Sequence, residues 1–317
     1  MINKFDFSII ITSKGRRSLF DRSLRSVLKQ SIENFQIIIA DNNNDIAISN
    51  YIKTVLDETP LSSKIDLCYF KSEAKTAGNV RNEAIKIANT DIIFFLDDDD
   101  ELLLNSLEYR YNYLKTNEDV ALIYCAAKSN IENYPFEMYR YYEYSNCIKS
   151  NQLNIMSCSC IGIRKSMILS KNISFDKDLI QRHDYDFCKQ ILKNELKIKS
   201  IPLALVRVNI HSQERISSQF SDMQIMRKIL LNKWGESIKN ELNKYITDVY
   251  IWRIYLNKEL RSRNKIINEL LMVYNIQPSA IFKIKIILIK LAPFLYMFCY
   301  HFALFIYQSF WNIKNRF

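Results

Sequence analysis

The sequence predicts an α/β fold, a mainly parallel mixed sheet flanked by helices, followed by a helical C-terminal extension. Three observations carry this. Short apolar runs alternate with segments of helical periodicity along the N-terminal part of the chain. The runs are continuously apolar, which marks strands covered on both faces. Each run also ends on a polar loop, and in such sheets ligands bind at the carboxyl ends of the strands.

The elements follow in order. Phe7 to Ile11 reads as a strand, and the polar turn Thr12-Ser13-Lys14-Gly15-Arg16 follows it. Leu19 to Gln30 places Leu19, Phe20, Leu24, Val27 and Leu28 at helical spacing. Phe35 to Ala40 is a second strand, ending on Asp41-Asn42-Asn43-Asn44. Ile46 to Leu56 is helical, Leu67 to Phe70 extended, Val80 to Ala88 helical, and Ile92 to Leu96 a further strand. Three polar loops, Thr12 to Arg16, Asp41 to Asn44 and Asp97 to Glu101, therefore meet at one sheet edge. A glycine-rich dinucleotide loop and a Walker lysine loop are both missing, which excludes those two enzyme types.

The last of these loops carries the most chemistry. Asp97, Asp98, Asp99, Asp100 and Glu101 follow directly on a buried strand. Like charges so closely packed need a positive partner. A hard divalent cation, Mg²⁺ or Mn²⁺, takes oxygen ligands and holds a diphosphate as well. The plain alternative is a solvated acidic turn. An EF-hand loop is disfavoured, because its turn glycine is missing.

At 317 residues the chain holds one large α/β domain with an appendage, or two small domains. Only 4 glycines and 5 prolines, with 13% aromatic residues, exclude a disordered or low-complexity chain. The N-terminus lacks the pattern of a secretory signal. Seven scattered cysteines, an odd count, read as the reduced thiols of a cytosolic protein.

The net charge of +10 lies mostly at the C-terminus, where Arg253 to Phe317 holds ten Lys/Arg against two acids. Between those charges, Ile286 to Trp311 is almost wholly apolar and aromatic, interrupted by Lys290 and His301. That composition suits a bilayer and argues against nucleic acid. On a helix, Lys283, Lys290, His301, Gln308 and Asn312 share one narrow stripe, as in an interfacial helix. Leu291 to Phe310 is also long enough to span a bilayer, so lying flat and spanning both stay open. A helix buried in a core or a dimer interface is the alternative. The expected division is a nucleotide-binding domain over 1–220, a helical extension over 221–277 and a membrane-associating tail over 278–317.

Five pieces then stand in order: Ser-Ile-Ile-Ile-Thr-Ser-Lys-Gly-Arg, Leu-Arg-Ser-Val-Leu-Lys-Gln-Ser, Ile-Ile-Ala-Asp-Asn-Asn, Gly78-Asn79-Val80-Arg81-Asn82-Glu83-Ala84 and Phe-Leu-Asp-Asp-Asp-Asp. Over about residues 5 to 220 this resembles the family 2 glycosyltransferases of the GT-A fold. The resemblance implies a metal-dependent, inverting transfer from a nucleotide sugar, UDP-linked by expectation. Carried over, Thr12 contacts the uracil or ribose, and Asp41 and Asn42 recognise the base. Arg81 faces the donor phosphates, Asp97 the ribose, Asp98 lines the same pocket, and Asp99 binds Mn²⁺ or Mg²⁺. Lys14 departs from the pattern, standing where many members place a uracil-stacking tyrosine.

The transfer needs a base for the acceptor hydroxyl. Arg182-His183-Asp184-Tyr185-Asp186-Phe187 resembles the family's Glu-Asp element, preceded by the Phe175-Asp176 pair, with His183 replacing the acid. Asp184 is the expected base and Asp186 the fallback; a structural helix cap is the plain alternative for Asp184. His211 matches a late histidine that ligates the metal or touches the diphosphate. Ser157 to Gly162 is placed on the acceptor side by position. Together with the tail, the resemblance implies a polyprenyl-diphosphate-linked glycan acceptor at the cytoplasmic face of the membrane, in capsule, O-antigen or exopolysaccharide synthesis. A sugar-nucleotidyltransferase and an inactive membrane adaptor of the same fold are the rival readings.

Overall fold

The computed structural model describes residues 5–14, 17–43, 45–58, 64–132, 137–140, 157–210 and 220–256. Two compact units divide the chain, Met1–Asn209 and Ile210–Phe317. His211 and the tail over 278–317 lie outside the described residues, as does the extension beyond residue 256.

The first unit opens with β1 (Phe7–Ser13), α1 (Arg17–Leu28), β2 (Phe35–Asp41), α2 (Ile46–Glu58), β3 (Ile65–Lys71), α3 (Ala77–Ile87) and β4 (Ile92–Asp97). This is the predicted alternation, with boundaries moved by a few residues. β1 runs on to Ser13, so Thr12 is a strand residue. α3 starts three residues before Val80 because Thr76 caps it, its hydroxyl accepting from the Asn79 N–H at 3.3 Å. β3, β2, β1 and β4 lie side by side in that order and pair in parallel.

Beyond β4 the sheet changes character. β5 (Glu101–Leu102), α4 (Ser106–Thr116), β6 (Val120–Ile131) and β7 (Met138–Arg140) come first. A 3₁₀ turn over Cys158–Cys160, β8 (Ile161–Arg164), α5 (Lys165–Ser170), α6 (His183–Lys193) and β9 (Lys197–Ile210) complete the order. β8 pairs antiparallel with β4 and with β6, and β5 antiparallel with β9. The sheet is thus mixed, with one parallel half and one antiparallel half.

Period-two alternation sends β-strand side chains to opposite faces. Phe7, Ile9 and Ile11 join Phe94, Phe20, Leu24, Tyr111 and Leu114 in the core beneath α1, α2 and α4. Phe95 points the other way and meets Phe175 edge-on, with ring centroids 5.7 Å apart; Phe175 in turn stacks on Phe187 of α6 at 4.2 Å. Both faces are therefore covered, as the apolar runs require.

Gly162 marks the seam between the two halves, facing Phe94 of β4 and Ile123 of β6. A Cβ there would sit 2.5 Å from Cε1 of Phe94 and 3.1 Å from Cγ1 of Ile123. The Phe94 ring has little room to yield, lying between Phe7 and the Arg110 guanidinium. Gly162→Ala is therefore expected to cost about 1–3 kcal/mol by overpacking, read as a lower denaturant midpoint. An unchanged midpoint would contradict this tight seam.

The second unit is described over α7 (Phe220–Trp234), a 3₁₀ turn over Glu236–Ile238 and α8 (Lys239–Leu256). Met223, Met226, Leu230, Leu242, Ile246 and Tyr250 are buried. Among the described residues no helix is long and apolar enough to cross a membrane.

Candidate active site

Strand register builds the site. Thr12 pairs with Asp97 across β1 and β4, Ser13 with Asp41 across β1 and β2, and Asp41 with Lys71 across β2 and β3. The carboxyl ends of four parallel strands thus align one row of polar side chains, as expected at such a sheet edge.

The acidic run does not act as one block. Asp97, Asp99 and Asp100 each offer an oxygen within 4.8 Å of the others. Asp98 turns inward: it is buried, and its carboxylate accepts from the Lys14 N–H at 2.8 Å and the Ser13 hydroxyl at 3.4 Å. Glu101 leaves the cluster for Arg22 and Arg207. Asp100 is buried as well. Its Oδ2 accepts from the hydroxyls of Ser157 (3.1 Å) and Ser159 (2.6 Å), and its Oδ1 from the Asn209 N–H (3.2 Å). Ser157 also reaches Asp97 Oδ2, and Ser159 accepts from the Asp97 N–H. Asn209 closes the far side by donating to the Asp99 carbonyl at 2.8 Å.

An all-oxygen set this close fits a hard divalent cation far better than zinc or copper, which prefer nitrogen and sulfur. The family resemblance implies Asp99 and His211 as metal ligands, and His211 lies outside the described residues. The described residues bring Asp97 and Asp100 beside Asp99. Ser157 and Ser159, which position alone places on the acceptor side, instead hold this cluster through Asp100 and Asp97. Asn209 has no local sequence signal that marks it. Asn209 stands two residues before the histidine that the motif singled out.

The base-side residues are also internally bound. Asp41 is fully buried. Its carboxylate accepts from the Tyr69 hydroxyl (2.7 Å), Lys71 (3.3 Å) and Asn43 (2.6 Å from the side-chain amide). Burial opposes the charge, but donors from Ser49, Tyr69 and Asn43 outweigh it and hold the carboxyl below the usual carboxylate range. Asn42 donates its side-chain amide to the carbonyls of Ser72 and Ala74, fastening the loop after β3. Lys14 stands exposed at the end of β1.

Arg81 joins the two sides of the site. It is 2% exposed, paired with Asp97, and donates to Thr12 Oγ1 at 3.4 Å and to His183 Nε2 at 2.9 Å. Burial disfavours its charge, yet the Asp97 carboxylate, by its charge and its hydrogen bond, outweighs that and keeps it firmly protonated. The neighbouring motif residues explain its placement. Gly78 lets α3 approach, since a Cβ there would lie 3.1 Å from Phe175 Cβ and 3.3 Å from His183 Cβ. Asn82 exchanges two hydrogen bonds with the Phe175 backbone, at 2.8 and 2.9 Å.

α6 begins after Arg182, whose φ of 57° lies in the left-handed region. The bend puts His183 and Asp184 at the helix start, where partial positive charge favours an anion. Asp184 is half-buried, and its carboxylate accepts from its neighbour Tyr185 N–H at 2.8 Å. Asp186 is fully buried, accepting from the Gln190 amide at 2.7 Å.

Known proteins resemble this chain in sequence and in fold. An uncharacterized glycosyltransferase of Methanocaldococcus jannaschii is 25% identical over 255 residues, 78% of this chain and 83% of its own. A UDP-Glc:alpha-D-GlcNAc-diphosphoundecaprenol beta-1,3-glucosyltransferase of Escherichia coli is 26% identical, covering 68% of this chain and 82% of its own. Among solved structures, S. aureus TarS 1–349 with UDP-GlcNAc superposes with a TM-score of 0.56 at 18% identity, covering 84% of this chain and 80% of that one. A Pyrobaculum calidifontis mannosyltransferase with GDP-Man and Mn²⁺ gives 0.58 at 11%, covering 91% and 81%. These two share the GT-A fold with this chain. The family model described as glycosyl transferase family 2 matches residues 8–169, and this chain is a glycosyltransferase of that family.

Proposed function

We propose that this glycosyltransferase moves a sugar from a UDP-sugar to a hydroxyl of a polyprenyl-diphosphate-linked glycan, with inversion, in surface-polysaccharide synthesis. One observation carries the reading. The carboxylates Asp97, Asp99 and Asp100 gather at the carboxyl end of β4, and Arg81 links Asp97 to the helix start that bears Asp184. Support for the donor and acceptor classes comes from UDP-GlcNAc bound by TarS and from the diphosphoundecaprenol acceptor of the E. coli relative.

Asp97, Asp99 and Asp100 would hold Mn²⁺ or Mg²⁺, the former present in the P. calidifontis structure. When bound, the cation neutralises the developing charge of the diphosphate leaving group. Thr12 and Lys14 flank the nucleoside from the end of β1. Asp41, Asn42 and Asp98 act by holding the three loops in place, through the carboxylates of Asp41 and Asp98 and the side-chain amide of Asn42. On the acceptor side, Asp184 takes the hydroxyl proton as the acceptor oxygen bonds to the anomeric carbon. The bond from that carbon to the diphosphate breaks on the opposite face, and UDP leaves. Asp184 is preferred to Asp186 because a base must meet its proton donor, and Asp186 has no exposed surface. The tail over 278–317 is assigned to the membrane surface on its composition.

Purified full-length protein, given UDP- and GDP-sugars with Mn²⁺ or EDTA and acceptors in anionic liposomes, tests this. Metal-dependent release of free UDP with an extended lipid-linked glycan is the expected result. Transfer from GDP-sugars alone, or to soluble glycans alone, would overturn the donor or the acceptor assignment respectively. In the same samples the protein should sediment with liposomes in high salt and leave them in detergent. Failure to sediment would remove the membrane assignment and leave the transferase reading standing.

A further inference from the structure

We propose that His183 is a positioning residue: its imidazole holds one arm of Arg81 and thereby sets the guanidinium on Asp97, locking the end of β4 to the helix start that carries Asp184. The inference rests on the reading above, in which Asp97 serves the donor side and Asp184 the acceptor.

Arginine donates and never accepts, so at 2.9 Å from Arg81 Nη1 the His183 Nε2 is the acceptor. The imidazole is therefore neutral. Burial, and then the Arg81 charge, push its pKa down to about 4, so it stays neutral across the working range. An acid is the residue that the family resemblance places here. A carboxylate would be a second anion for Arg81 and would compete with Asp97 for it. The neutral imidazole satisfies the second arm without drawing the charge away.

The packing keeps this link in one geometry. Phe175 meets the His183 ring edge-on at 5.8 Å and lies under the Arg81 guanidinium at 5.9 Å. Gly78 brings α3 against the His183 Cβ. Asn82 pins Phe175 by its backbone. Asp97, Arg81 and His183 form a chain that crosses from β4 through α3 to α6, and the next residue is Asp184.

Titration of UDP, with Mn²⁺ present, onto the full-length protein tests the role through a cycle of variants. His183→Leu keeps bulk but removes the acceptor, and it should weaken UDP binding about tenfold, the effect of losing a hydrogen bond to a charged group. His183→Gln restores an acceptor and should return affinity to within about threefold of wild type. In an Arg81→Lys background, His183→Leu should add less than about twofold, because the partner arm is already missing. A purely space-filling role predicts the reverse order for Leu and Gln, and additivity with Arg81→Lys. Either result overturns the proposal. If His183→Leu fails to fold, His183→Glu carries the test: loss of about tenfold or more is expected, and wild-type affinity overturns the proposal. A wild-type chain that binds neither UDP nor GDP with Mn²⁺ overturns the donor-site reading and this inference together. A binding wild type matched by His183→Leu overturns this inference alone.

Discussion

Asp184→Asn is expected to lower transfer by about 10²–10⁴-fold while leaving UDP binding close to wild type. The substitution keeps the shape and the Tyr185 N–H contact but removes the proton acceptor. Asp184 is half-buried at the start of α6, where its carboxylate accepts from the Tyr185 N–H and its charge acts on Arg81 and His183. The amide leaves the hydrogen bonds from Arg81 to Asp97 and His183 in place, so donor binding should change little. Comparing turnover with UDP titration separates the two effects. Near wild-type turnover would remove Asp184 from the base role. Equal loss of binding and turnover would instead mark it as part of the donor site. Asp186→Asn is the contrasting variant. That carboxylate is buried and bound to Gln190, so its loss should appear as a lower melting temperature.

The second large effect concerns the carboxylate cluster. Asp99→Ala should lower kcat/KM by at least about 100-fold in Mn²⁺, since even partners of metal ligands cost 10–100-fold when removed. It should also abolish the difference between assays with metal and with chelator. Asp99 is the residue to change because Asp97 and Asp100 also hold other parts of the fold. Asp100 is held by Ser157, Ser159 and Asn209, and Asp97 by Arg81, so altering either would disturb packing as well. Direct titration with Mn²⁺ reads the effect without turnover. Wild-type activity that survives EDTA unchanged would overturn the metal assignment of the whole cluster.

Much of this site is legible in the amino-acid sequence. The strands β1, β2 and β4 are continuous apolar runs, and the polar residues that end them announce the binding edge. The Gly78 to Ala84 segment was recognisable too, although not the reason for each of its residues. Gly78, Arg81 and Asn82 each act on residues about a hundred positions away, at Phe175 and His183. The antiparallel half was not legible. β6, β8 and β9 are joined by long-range pairing, and periodicity within a short window carries no information about partners.

The sequence by itself determined which residues form the alternating elements, where an acidic run follows a buried strand, and which acids are candidates for metal and base. Those features are local, set by side-chain periodicity and by charge density within a few residues. Only the tertiary structure decided which of those acids remain available. Asp41 and Asp98 are held mainly by donors from neighbouring strands and their ends, Asp186 is sealed in α6, and Asp97, Asp99 and Asp100 gather while Asp184 stays half-buried. The reason is physical. A carboxylate's availability depends on the donors that reach it, and here those donors, at Lys14, Tyr69, Ser157, Ser159 and Asn209, arrive from distant parts of the chain.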